Sequence, residues 1–294
     1  MGPTGAGKSA VAEWLADEFS AQLVNADAFQ VYRGLDIGTN KPSDKHRYEL
    51  LDLVEPTEEF GVLQWVKAAL PILDSAFARP KNVILVGGTG YYLRALIEEY
   101  TDLRPAPEPE LRALLAQRLA HEGLASLATE LQAKAPEVAA HTDLRNPVRV
   151  ARALERLESG PPFRFSLPAF RKIKVAIDPP VARLDERITD RVDEILQAGW
   201  CEEVESLRSQ GIPSDAPGLR AIGYRALYSY LGGSITRESA RDEIVLATRQ
   251  YARRQRTWLR SEPRLNVASC ADTWPDQEPR TTGTAIADMI RSGT

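Results

Sequence analysis

Near its start the chain carries Gly2, Pro3, Thr4, Gly5, Ala6, Gly7, Lys8 and Ser9, a complete G-x-x-x-x-G-K-[ST] phosphate loop. Glycines at these positions let successive backbone N–H groups converge on phosphate oxygens. Lys8 adds positive charge, and Ser9 offers a hydroxyl to Mg²⁺. The run from Ala10 to Phe19 has helical spacing, so its positive end would face the same anion. The spacing therefore points to a bound di- or triphosphate, against the alternative of a glycine-rich turn with no ligand.

Two further residues have the types that chemistry beside a phosphate would need. Asp27 closes an apolar run beside the loop, where a carboxylate would take a proton from an acceptor, an effect worth roughly 10²–10⁴-fold. A helix cap or a Mg²⁺ ligand is the competing reading of the same side chain. Thr89 presents a hydroxyl within Gly87-Gly88-Thr89-Gly90, a turn that permits close backbone approach. ATPases with this loop usually place an acidic residue after a later apolar strand. Here Val83–Val86 ends in glycines instead, which disfavours nucleotide hydrolysis.

The elements that position these residues follow from periodicity. Residues 22–26 and 82–86 read as strands, 50–54 as a further candidate, and 62–77 as a helix between them. Strands alternating with helices imply a parallel sheet whose carboxyl edge gathers the phosphate loop, Asp27 and the glycine turn. The fold class expected is α/β, a P-loop NTPase-like parallel sheet flanked by helices. A central strand normally precedes such a loop, yet only Met1 does so here, and a start codon upstream is the expectation.

From 103 to 170 the chain is rich in Ala, Leu and charge without strand signals, and is expected to be a helical insertion. Residues 1–102 and 171–294 then form the catalytic core. Asn146-Pro147 marks a helix start, and residues 172–177 return as a strand to the sheet. Leu184, Ile188, Val192, Ile195 and Leu196 form a core-facing helical face. A final long helix over 238–260 aligns Arg249, Arg253, Arg256 and Arg260, read as a polyanion contact, with Tyr251 and Trp258 assigned to the core.

Bulk properties narrow the class. The net charge is −4, yet residues 103–175 carry 12 Lys and Arg against 8 Asp and Glu, where residues 1–100 carry 9 against 14. A basic segment on an acidic chain remains an electrostatic footprint for nucleic acid. No apolar run approaches the ~20 residues of a membrane span. Cys201 and Cys270 form no C-x-x-C pair, and with His46, His121 and His141 they form no metal-ligand pattern. A reducing cytoplasm is the expected setting.

Six segments together resemble a known family. They are the phosphate loop, residues 25–39 (NADAFQVYRGLDIGT), 87–92 (GGTGYY), 146–155 (NPVRVARALE), 221–225 (AIGYR) and 248–258 (TRQYARRQRTW). In order, across nearly the whole chain, they are similar to the tRNA dimethylallyltransferases. The resemblance implies transfer of a dimethylallyl group from dimethylallyl diphosphate to N6 of adenosine 37, beside the anticodon of tRNAs reading codons that begin with U. It implies Mg²⁺ as cofactor, the tRNA anticodon stem-loop as partner, no membrane, and action as a monomer.

By that resemblance Asp27 and Thr89 are catalytic, and residues 2–9 with Arg225 bind the diphosphate. Asp27, Ala28, Phe29, Gln30, Thr89, Val148, Arg149, Val150, Ala151, Arg152, Arg220 and Arg225 contact tRNA, with the target base out of its stack. The chain departs from the family at Ala28-Phe29, at Val148 and in a shorter segment over 160–171. The readings that compete are a small-molecule or nucleoside kinase using ATP, an RNA-binding module with a vestigial nucleotide site, and an isopentenyltransferase acting on free adenine nucleotides.

Overall fold

In a computed structural model that describes residues 1–107, 109–268 and 279–292, the strands are short and apolar, as buried parallel strands are. β1 (Gln22–Asn25) lies between β2 (Tyr48–Glu49) and β3 (Val83–Val86), all parallel, with Leu23 opposite Tyr48 and Val24 opposite Leu85. The strand expected over 50–54 is displaced to 48–49. Leu50 and Asp52 have φ of 65° and 52°, left-handed values that end a strand. Helix α1 (Lys8–Glu18) precedes β1, α2 (Val62–Ala78) joins β2 to β3, and α3 (Gly90–Ile97) follows β3.

The expectation of a single sheet is corrected. β4 (Lys174–Ile177) pairs in parallel with β5 (Leu265–Ala268) in a second, two-stranded sheet. Met1 also meets β4: its ammonium donates to Val175 O at 2.6 Å and its carbonyl accepts from Ile177 N at 2.9 Å. A cavity of about 650 Å³ is lined by Val11, Leu15, Ile84, Leu85, Val175 and Ile177.

After β4 the chain is helical: α7 (Val181–Gln197), α8 (Trp200–Ser209), α9 (Tyr224–Leu231) and α10 (Arg237–Leu259). Leu184, Ile188, Val192 and Leu196 of α7 are buried at their i, i+4, i+8 and i+12 spacing. Val192 and Leu196 join a core with Val31, Leu35, Trp200 and Tyr224. Helix α11 (Pro279–Ser292), which the sequence reading did not anticipate, packs Ile286 and Ala287 against Val11 and Leu15 of α1.

Contacts divide the chain into Met1–Glu98 with Pro168–Thr294, and a separate unit over Glu99–Leu167. The second unit holds α4 (Pro109–Lys134, broken at Gly123), α5 (Pro136–Ala140) and α6 (Pro147–Glu158). It has its own core of Leu115, Leu127, Leu131, Ala139, Val150 and Leu154. The Asn146 side chain accepts from Val148 N and Arg149 N at 3.0 and 3.2 Å, the cap that starts α6. In the larger unit, Lys172 Nζ donates to Ile97 O at 2.9 Å, so the chain leaves and re-enters that unit at one neck. Among the described residues, no helix is long and apolar enough to cross a membrane.

Candidate functional site

The phosphate loop turns through Gly5 and Gly7, with φ of 82° and 75°, conformations that suit glycine alone at low cost. Gly7 caps α1 without a side-chain bond, so no side chain occupies the first amides of the helix. Lys8 Nζ folds back to donate to Pro3 O at 2.8 Å. Burial pushes the Lys8 ammonium down to about 8, against an opposing pull from the Asp27 carboxylate.

Thr4 to Ser9 line a cavity of about 670 Å³, and Asp27, Phe29 and Gln30 line it from the end of β1. Gly2 and Pro3 are buried and stand outside this lining. Asp27 Oδ1 accepts from Phe29 N at 2.9 Å, while Oδ2 has no hydrogen-bond donor among the described residues. Gln30 Nε2 donates to the carbonyls of Thr39 and Asn40, both at 3.0 Å, which fixes its loop. The same loop is pinned by Lys41, whose buried ammonium bonds Asp36 at 2.7 Å and also reaches Asp52. Burial pushes Asp36 up, yet Lys41 and Lys45 together hold it below its ordinary value.

The glycine turn after β3 meets Asp27 from the other side. Thr89 N donates to Ala26 O at 3.3 Å, and Thr89 Oγ1 accepts from Ala28 N at 3.0 Å, so the turn brackets Asp27 on both flanks. The approach is close: a Cβ on Gly87 would sit 2.1 Å from Ala26 O, and one on Gly90 would sit 2.2 Å from the Trp258 ring. Gly87 and Gly88 line the cavity and Thr89 lies behind them.

Several cavity residues escaped the sequence reading. Arg187 and Arg191 of α7 line it, each held by Glu194 at 2.8 and 3.1 Å. Arg254 and Tyr251 of α10 line it too, so Tyr251 is a wall of the site and not core. Ile188, Val192, Ile195, Ile222 and Ile244 beside Trp200 make an apolar part of the wall. The phosphate loop and a hydrophobic face thus share one space. The charge of Arg187 and Arg191 was visible, but both sit on a helix far along the chain, where spacing alone links them to nothing.

Other anticipated residues fall elsewhere. Arg220 lines the cavity and pairs with Glu59 at 2.9 Å, whereas Arg225 is exposed on α9 and outside the lining. In the separate helical unit Val148 is 66% exposed, and Arg149 and Arg152 are exposed. Ala151 is half-buried. Val150 is corrected: it is fully buried against Leu127 and Leu131, because helical period turns it inward with Ala153 and Leu154.

The arginine row on α10 is also corrected. Arg249 donates to Thr189 Oγ1 at 2.8 Å and Arg256 pairs with Asp178 at 2.8 Å, so both serve the fold. Arg253 remains 68% exposed in its side chain, with Asp185 at 3.8 Å. Cys270 lies outside the described residues, and among those described no group of three or more His, Cys, Asp or Glu is arranged to hold a metal.

The sequence profile of the IPP transferase family matches residues 30–262. The tRNA dimethylallyltransferase of Salinispora tropica is 40% identical over 285 residues, covering 94% of this chain and 86% of its own. That of Deinococcus radiodurans is 38% identical over 278 residues, covering 91% and 90%. A crystal structure of the full-length tRNA isopentenylpyrophosphate transferase of Bacillus halodurans superposes with a TM-score of 0.70 at 30% identity, over 99% of this chain and 95% of that one. A eukaryotic dimethylallyltransferase acting on tRNA shares the fold, with a TM-score of 0.75 at 24% identity over 99% and 78%. On a profile that spans most of the chain and relatives that match along nearly their whole length, the chain belongs to the IPP transferase family and, within it, to the tRNA dimethylallyltransferases.

Proposed function

We propose that this protein transfers the dimethylallyl group of dimethylallyl diphosphate to N6 of adenosine 37 in tRNA. The observation that carries the reading is the cavity itself: the phosphate loop, the Asp27 carboxylate and an apolar wall all face one space. A prenyl donor has the same three needs, a cradle for its diphosphate, a dry place for its five carbons, and an acceptor beside its first carbon.

In the reaction the N6 amine attacks C1 of the allyl group while the C1–O bond breaks and diphosphate departs. Lys8 and the amides of the phosphate loop offset the charge that grows on the departing diphosphate. The amine sheds one proton as the C–N bond forms, and Asp27 Oδ2 is the open acceptor for it. Thr89 holds the Asp27 segment from both flanks.

Mg²⁺ suits this donor set. The phosphate loop supplies one hard oxygen, Ser9 Oγ, without a cluster of carboxylates, and Mg²⁺ is commonly held by one or two protein oxygens with substrate phosphates and water. When bound it would neutralise diphosphate charge. Arg149 and Arg152, exposed on α6, and Arg220 at the cavity are the groups we assign to tRNA phosphates.

Nucleoside mass spectrometry on unmodified tRNA, incubated with the protein, Mg²⁺ and dimethylallyl diphosphate, tests the reading against a parallel reaction with ATP. A dimethylallyl mass gain on adenosine with the prenyl donor alone is expected. Phosphate transfer from ATP to a small acceptor, without that gain, would put a kinase in its place.

A further inference from the structure

Gln255 of α10 is buried, and its side-chain amide faces two backbone segments, the phosphate loop and the glycine turn. Its Oε1 accepts from Thr4 N, in the phosphate loop, at 2.8 Å. Its Nε2 donates to Gly88 O, in the glycine turn, at 3.0 Å. The amide orientation is fixed by its partners, since a backbone N–H can only donate and a carbonyl can only accept. The phosphate loop follows the Met1 bridge to β4, while the glycine turn follows β3. Among the described residues β4 pairs with β5 and β3 with β1, and no strand ladder joins these two sides.

We infer that Gln255 is a positioning residue that sets Thr89 and the Asp27 segment in register with the phosphate loop. The inference rests on the function proposed above. The chain of contacts is continuous: Thr4 to Gln255, Gln255 to Gly88, then Thr89 to Ala26 and Ala28 on either side of Asp27. A donor seated on the phosphate loop and an acceptor amine offered to Asp27 are thus aligned through one side-chain amide. Neighbouring residues of α10 support the same turn, with Tyr251 lining the cavity and Trp258 packed against Gly90. Small displacements of a reacting group cost far more in turnover than in binding.

Steady-state kinetics on Gln255→Leu and Gln255→Glu test this. Leucine deletes both hydrogen bonds at similar volume, and kcat is expected to fall about 10²-fold while tRNA affinity holds. An ionised glutamate takes the Thr4 N–H but gives nothing to Gly88 O, whereas a protonated one does both. The kcat of Gln255→Glu, as a ratio to wild type, should therefore climb as pH falls. A ratio flat in pH, or wild-type kcat in Gln255→Leu, overturns the role. If Gln255→Leu does not fold, the Gln255→Glu profile decides alone. A wild-type protein that transfers no dimethylallyl group overturns the functional reading and this role with it, whereas active wild type with equally active variants overturns this role only.

Discussion

One oxygen of Asp27 is held by Phe29 N and the other has no donor among the described residues, which is the state a proton acceptor needs. Asp27→Asn keeps the shape and removes the basicity. Turnover should fall at least ~10²-fold with tRNA affinity close to wild type, measured by single-turnover prenyl transfer, and unchanged turnover would remove Asp27 from the role. Lys8 carries a second prediction at this scale. Its value of about 8 in the free protein lies below the ordinary 10.5, so raising pH through 8 neutralises the cation that the diphosphate needs. Affinity for dimethylallyl diphosphate should decline above pH 8 by up to about tenfold per unit, until the higher value of the complex is reached. The sign for the ligand-free fold is opposite. The unfolded chain binds this proton more tightly, so between pH 8 and 10.5 the contribution of Lys8 to stability rises with pH. Calorimetric titration from pH 7 to 9.5 reads the first effect, and a constant affinity would contradict it. That Lys8, Ser9 and Asp27 line one cavity was legible because motif spacing is local. Gln255 and Tyr251 were not, because their partners lie up to 251 residues away in the chain.

Helix α10 shows how an element can carry two faces that sequence alone confuses. Its arginines at 249, 253, 256 and 260 share a helical face on paper, yet α7 and the end of β4 consume Arg249 and Arg256. Arg256→Ala should lower stability by about 1–3 kcal/mol, since it leaves the Asp178 carboxylate without its partner. Arg253→Ala should leave stability unchanged. If that exposed guanidinium meets a tRNA phosphate, the slope of log affinity against log salt should flatten by roughly 0.7–0.9. Urea melts and filter binding across salt separate the two arginines, and an unaltered slope in Arg253→Ala returns it to solvent. The strands at 22–25 and 83–86 and helices α2, α6, α7 and α10 were legible from periodicity and capping. The strand at 48–49 was not, because the apolar run at 50–54 hides two left-handed residues.

The described residues form two units with separate cores. Every residue lining the main cavity belongs to the larger unit. Replacing 99–167 by a short flexible linker should therefore leave affinity for dimethylallyl diphosphate near wild type and abolish tenacious tRNA binding. Calorimetry and filter binding on that variant measure both, and retained tRNA affinity would return Arg149 and Arg152 to a solvated face. The existence of this helical unit was legible from composition, since a long Ala- and Leu-rich stretch without strand signals has few other folds. Its core was legible only in part, because Val150 looked like one contact among several until the helix period turned it inward. The neck at Ile97 and Lys172 has a consequence for inheritance. An insertion whose two ends leave from one point constrains its host little, so the segment can change in sequence while the host keeps its fold. Exchanging this segment with that of a relative should carry preference among tRNAs across while the donor stays the same.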